Sequence, residues 1–298
     1  MSRAEAVEAA PAPVPAPEAG SGLLGPFLRR LFAHRSFVIG AALIVTVALL
    51  ALAADWIAPH DPYRTNFRTR MRPPDATFWF GTDNLGRDIL SRMLYGGRVS
   101  LQIGFLVVLA TGFFGTLIGA VAGYFRPLDN PVMRLMDALM AFPAIVLAIV
   151  VSATLGASIV NVVIALSIAT TPHTARIVRA SVLVVREMEY VEAARALGAS
   201  DLRILFRHVL ANALAPLIVR LTYVFAIAIL AEAVMSYLGV GPPPPTPTFG
   251  NIIATGRDFM VDAPWIMIFP GLAIVTCVLG LNLLGDGLRD VLDPRVRV

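Results

Sequence analysis

Long apolar runs alternate with short polar ones along the chain. The first run, Phe37–Ala54, holds eighteen residues without a charge. Arg29, Arg30 and Arg35 precede it. Asp55 and Trp56 follow, with the indole where an interfacial aromatic sits. About 20 apolar residues cross a bilayer, so this run predicts a first span. Residues 58–98 are polar and rich in Pro, Asp and Arg, and read as a loop. Val99–Phe125 carries no charge and predicts a second span. Arg126–Asp137 reads as a short turn. Between Ala138 and Ala175 the only titratable group is His173, and the run is too long for one span. The break "TLGAS" at Thr154–Ser158 divides it into a hairpin of spans three and four. A charged stretch, Arg176–Arg207, leads to span five at about Val209–Tyr237. A Pro-rich loop then leads to span six at Ala263–Gly285. The expected fold is an all-α integral membrane protein with six transmembrane helices.

Residues 1–34 are expected to be a disordered, Ala/Pro-rich cytoplasmic tail, followed by a transmembrane domain over 35–298. The opening 1–22 has almost nothing to bury and no apolar h-region of a signal peptide. Six spans place both termini on one side. With cytoplasmic termini, that side holds fourteen arginines and the other eight, which agrees with the positive-inside bias.

Composition supports this reading. The chain is 57% hydrophobic and 15% charged, against about 25% charged in soluble domains. The net charge of +4 reflects membrane topology rather than a nucleic-acid surface. All 24 basic residues are arginine. Without lysine there is no phosphate-binding loop of the GxxxxGK type and no Schiff-base nucleophile. If ATP drives this protein's work, another chain hydrolyses it. The lone Cys277 forms neither an internal disulfide nor a multi-cysteine metal site. His60, His173 and His208 are scattered, so no metal site is expected. No nucleophile–base–acid set can be assembled, and no catalysis is expected.

Several positions stand out against this background. Gly115, Gly119 and Gly123 repeat every fourth residue and would let a second helix approach closely. Arg220 and Glu232 lie inside span five, where ionisable groups are costly. They are separated by about 18 Å along one helix and cannot pair directly. Arg220 either snorkels to the inner interface or faces a translocation path. Glu232 is expected to face that path or a neighbouring helix rather than lipid. "GTDNLGRD" (Gly81–Asp88) lacks the spacing of a calcium loop and reads as a structural cap leading into a helix. Pro242–Pro245 predicts polyproline II.

The densest charge in the second half of the chain is in "YVEAARALGASDLRILFRHVLANALAPL" (Tyr190–Leu217). Good helix formers over Glu187–Leu197 predict a short helix. Gly198 fits the left-handed position after its end. Ser200 can cap a second helix, with Asp201 in its first turn. The product is a sharp corner. Its small Ala193, Ala194 and Ala196 would let the first leg lie deep in a partner's groove, with Glu192 and Arg195 free to pair across it. A plain surface connection between spans is the alternative.

"EAARALGASDLRILFRHVLA" resembles the EAA loop of ABC importer permeases. Glu192, Ala193, Ala194, Gly198 and Leu210 match its pattern; His208 stands in the Ile place and Ala211 where that family has Pro. "FGTDNLGRDILSRMLYGGRVSL" (Phe80–Leu101), "MRLMDALMAFP" (Met133–Pro143), "AEAVMSYLGVGPPPPTPTFGNII" (Ala231–Ile253) and "FPGLAIVTCVLGLNLLGDGLRDVLDPR" (Phe269–Arg295) resemble one branch, the C-type permeases of dipeptide, oligopeptide and nickel importers. The resemblance implies a type I importer permease fold with its core at about 97–288 and span one at the periphery. It implies an ATPase-coupling loop at about 187–200, carried by Glu192, Ala193, Ala194, Arg195 and Gly198. It also implies a B-type permease, two ATPase subunits holding ATP and Mg, and an extracytoplasmic binding protein as partners. Nickel or glutathione remain alternative cargoes, and an ATPase-independent secondary transporter is the competing class.

Overall fold

A computed structural model describes residues 24–292, and they are helical with no strand among them. The expected disorder of residues 1–23 lies outside the described part. Residues 24–33, assigned to the same tail from sequence, instead form α1 (Leu24–Ala33).

The first span is α2 (Arg35–Leu52), followed by a single turn, α3 (Ala54–Ile57). Gly40 brings α2 directly onto the last helix, where an added Cβ would meet Leu284 N at 2.4 Å and Gly280 O at 2.5 Å. The polar segment that follows is folded by its own hydrogen bonds. Asp83 accepts from the amides of Leu85 and Arg87 and from Arg87 Nε at 2.6 Å. Asp88 caps the next helix through Ser91 N at 2.9 Å. Gly86 is left-handed, and a side chain there would strike Asn66 O at 1.9 Å. Gly81–Asp88 is therefore a structural turn in which Asp83 is taken up by backbone amides and Arg87, and Asp88 Oδ2 by Ser91.

α4 (Ile89–Tyr124) is the central element and runs for 36 residues. It begins ten residues before the expected span, because Asp88 supplies the cap. α5 (Arg126–Met140) replaces the expected turn. The charges that suggested a turn are used sideways: Asp129 takes a two-pronged bond from Arg179 at 2.5 and 2.6 Å, and Asp137 one from Arg176 at 2.5 Å. Met133 and Met136 are buried along the same side, against Ala122 of α4 and Ala175 of α7. Pro143 then forces an extended backbone, and α6 (Ala144–Leu155) leaves at 87°. Twelve residues rise only ~18 Å, so α6 alone does not cross a membrane. Gly156, at φ 90°, ends it as "TLGAS" led us to expect, and Ser158 caps α7 (Ile159–Val185).

The corner helices are α8 (Glu189–Ala196) and α9 (Asp201–Ile204). A π-helical turn over Leu205–Val209 joins α9 to α10 (Leu210–Tyr237). Pro242–Pro245 folds back rather than extending as polyproline II; the Pro244–Pro245 bond is cis. The Asn251 amide donates to Pro242 O and Thr246 O at 2.9 and 3.0 Å. α11 (Phe249–Gly256) and α12 (Trp265–Leu292) complete the fold.

Among the described residues, four helices are long and apolar enough to cross a membrane: α2, α4, the α9–α10 rod and α12. The bent α5–α6 pair makes a fifth candidate. α7 is not among them; it carries Asn161, Arg176 and Arg179 and is largely enclosed by its neighbours. One core cluster joins α4, α6, α7 and α10 through Ile103, Val107, Ala148, Leu166 and Val224. A second lies at the end of α4 and α7 that carries the corner.

Candidate functional site

The corner is built on a closed helix end. Gly198 stands at φ 80°, its amide donates to Arg195 O at 3.0 Å, and the Ala199 amide donates to Ala194 O at 3.1 Å. This is the paired bonding of a Schellman end, which uses a left-handed residue to reverse the chain. No atom lies within 4 Å of a Cβ built at Gly198, so backbone conformation alone favours glycine there. Ser200 occupies the start of α9 but its side chain makes no capping bond. Asp201 is instead held by the Tyr124 hydroxyl, which donates at 2.8 Å.

One side of the corner is fixed and the other is bare. Val191, Ile204, Leu205 and Val209 are buried with Val178, Val182 and Val185 of α7 and Ala120 of α4. Arg186 donates to Gly123 O at 2.6 Å and to Glu187 Oε1 at 3.0 Å, tying the α7 end to the α4 end. On the bare side stand Glu192, Ala193 and Arg195, with Ala194 half-buried. Leu197 is 88% exposed at the tip. The Tyr124 hydroxyl beside Arg195 raises the guanidinium pKa. A cavity of about 410 Å³ separates this leg from the start of α5, lined by Tyr124, Arg126, Arg186, Glu192, Arg195 and Asp201 among others.

Gly115, Gly119 and Gly123 face α7. An added Cβ at Gly115 would meet Thr174 Cγ2 at 2.7 Å, at Gly119 Ala175 O at 2.4 Å, and at Gly123 Val182 Cγ1 at 2.8 Å. The three glycines thus bring α4 and α7 into near-backbone contact at the level where the corner begins.

Arg220 and Glu232 stand on different faces of α10. Glu232 is fully buried; Ser236 Oγ donates to it at 2.7 Å and Ser100 Oγ of α4 at 3.2 Å. The Phe249 amide of α11 donates to the same Ser100 Oγ. Glu232 therefore faces neighbouring helices, and any path role would require α4, α10 and α11 to part. Arg220 is half-buried on an open stripe of α10 made by Pro216, Arg220, Tyr223, Ile227, Leu230 and Val234. The spacing of four and three keeps these residues on one helical face.

Sequence reasoning missed Tyr124, Val191, Leu197 and the π turn. Leu197 alone had a legible signal, a large apolar residue at the end of a charged helix.

A family model described as the binding-protein-dependent transport system inner membrane component matches residues 115–298. The chain belongs to that family. A second model, the N-terminal TM domain of oligopeptide transport permease C, matches residues 22–74 of this permease. A Brucella abortus permease named for peptide transport is 54% identical over 290 residues, covering 97% of this chain and 98% of the relative. The dipeptide transport system permease protein DppC of Alkalihalophilus pseudofirmus is 42% identical, covering 90% and 89%. Among solved structures, the inward-facing MetNI methionine ABC transporter matches with a TM-score of 0.56 at 20% identity. It covers 67% of this chain and 96% of that one, and shows the fold.

Proposed function

We propose that this chain is the C-type permease of an ATP-driven importer of dipeptides and oligopeptides. The observation that carries this reading is the corner at Gly198: anchored on one side by Val191 and Ile204, bare on the other at Glu192, Ala193, Arg195, Ala196 and Leu197. A rigid corner with one free face transmits displacement rather than absorbing it. The names of the full-length relatives support the peptide cargo.

In this reading α2, α4, the α5–α6 pair, α7, α10 and α12 are six spans, and both termini are cytoplasmic. Glu192, Ala193, Ala194 and Arg195 lie in a groove of an ATPase subunit. Two such subunits close on ATP and Mg, push the corner, and tilt α4 and α7 as one body, since their glycine contact leaves no room to slide. A B-type permease completes the path along the open α10 stripe, including Arg220. An extracytoplasmic binding protein delivers cargo to the far side.

Reconstitution tests this. The permease pair, ATPases and binding protein in vesicles should take up dipeptide only with hydrolysable ATP, and the chain alone should take up none. ATP-independent uptake by the chain alone along an ion gradient would overturn the reading.

A further inference from the structure

At its inner end the open stripe of α10 widens into a cavity of about 700 Å³. Asn212, Arg220 and Tyr223 of α10, Ile177 of α7, and Arg289 and Leu292 of α12 are among its lining residues. Arg220 Nε is buried there without a hydrogen-bond partner. No described carboxylate lies within ion-pair distance of Arg220 or Arg289. The two nearby acids of α12 are engaged elsewhere: Asp286 accepts from the Tyr223 hydroxyl, and Asp290 lies 3.2 Å from His34. Two guanidinium groups thus line the cavity with no described carboxylate paired to either, so it is suited to an anion that is not part of the chain.

The cavity offers two guanidinium groups beside walls of Ile177, Ala215, Pro216, Val219 and Leu292, while the Tyr223 hydroxyl and the Asn212 amide donate to Asp286 and to His208 O. Guanidinium matches a carboxylate in planar, two-pronged fashion, and the apolar walls suit uncharged side chains. The open stripe from Val234 to Pro216 leads into it over ~27 Å of helix.

We infer that the Arg220–Arg289 cavity is the inner station of the translocation path, and that it holds the free C-terminal carboxylate of the passing peptide. This rests on the peptide-import reading above. It adds a selectivity filter inside the membrane, separate from the binding protein: peptides with a free carboxylate pass, and those with a blocked one pass poorly.

The test uses the full reconstituted complex and two probes, a tripeptide as free acid and as C-terminal amide. Uptake of each is divided by the binding protein's own affinity for it. Charged hydrogen bonds of this kind correspond to about ten- to a hundredfold, so wild type should prefer the acid by about tenfold or more. R220Q and R289Q should each shrink that ratio to within about threefold, while R220K keeps most of it. An unchanged ratio in R220Q and R289Q overturns the inference. So does a collapse in R220K equal to that in R220Q, which would mark packing rather than charge. Native mass spectrometry separates the lipid alternative: an anionic phospholipid lost from R220Q, with the peptide ratio intact, assigns the cavity to a headgroup instead. A wild-type complex that moves neither peptide contradicts the import reading itself.

Discussion

The Tyr124 hydroxyl, at the end of α4, donates a 2.8 Å hydrogen bond to Asp201 Oδ1 at the start of α9. This bond crosses from the central helix to the second leg of the corner. It belongs to a set, with the Arg186–Gly123 bond and the burial of Val191, that makes the corner and the α4–α7 pair one mechanical unit.

Y124F removes that bond and the hydroxyl's contact with Arg195. A hydrogen bond of this kind contributes about 0.5–1.5 kcal/mol, too little to unfold the chain. The complex should assemble and hydrolyse ATP, but move several-fold fewer peptides per ATP. Uptake and phosphate release measured on the same vesicles check this; an unchanged ratio would remove Tyr124 from the coupling unit.

Gly198 separates backbone from bulk. Nothing lies within 4 Å of its would-be Cβ, so any effect of substitution comes from φ alone. G198V should cost about 1–2 kcal/mol locally and uncouple hydrolysis from uptake. G198N, whose side chain tolerates the left-handed region, should transport near wild type. Equal loss in both would point to contact with a partner rather than conformation.

Much of this was legible beforehand. The corner could be read because Gly198, Ser200 and Asp201 act locally, through conformations and dipoles that a few residues specify. The α5 helix could not. Its Asp129 and Asp137 look like turn residues until Arg179 and Arg176, fifty and thirty-nine positions on, arrive beside them. Ser200 was misjudged as a side-chain cap for the same reason: the distant Tyr124 hydroxyl engages Asp201 instead. Burial of Glu232 between Ser100 and Ser236 needed the α4–α10 register, which no local pattern carries.

Packing of α4 on α7 can be graded by the three glycines. G119A drives a methyl group onto the Ala175 carbonyl, whereas G115A meets a Thr174 side chain. Overpacking costs about 1–3 kcal/mol, so G119A should lower the melting temperature in detergent more than G115A. The reverse order would mean that the backbone yields at Ala175.

Glu232 should matter through its hydroxyl partners. E232Q keeps a polar group between Ser100 and Ser236 and should be mild. E232A strands both hydroxyls in a buried cavity, at about 1–3 kcal/mol, and should lower the melting temperature clearly. Equal melting of E232A and wild type would show that the Ser100–Glu232 contact contributes little.

Contact with an ATPase at the bare face is the central claim, and cross-linking from Leu197 reads it most directly. Leu197 is 88% exposed at the corner tip, and Val261 is 89% exposed in the turn before α12. The native Cys277 is buried. In membranes holding the assembled complex, a cysteine at Leu197 should cross-link to an ATPase subunit and a cysteine at Val261 should not. Cross-linking from Val261 but not from Leu197, or from neither in an intact complex, would contradict the account.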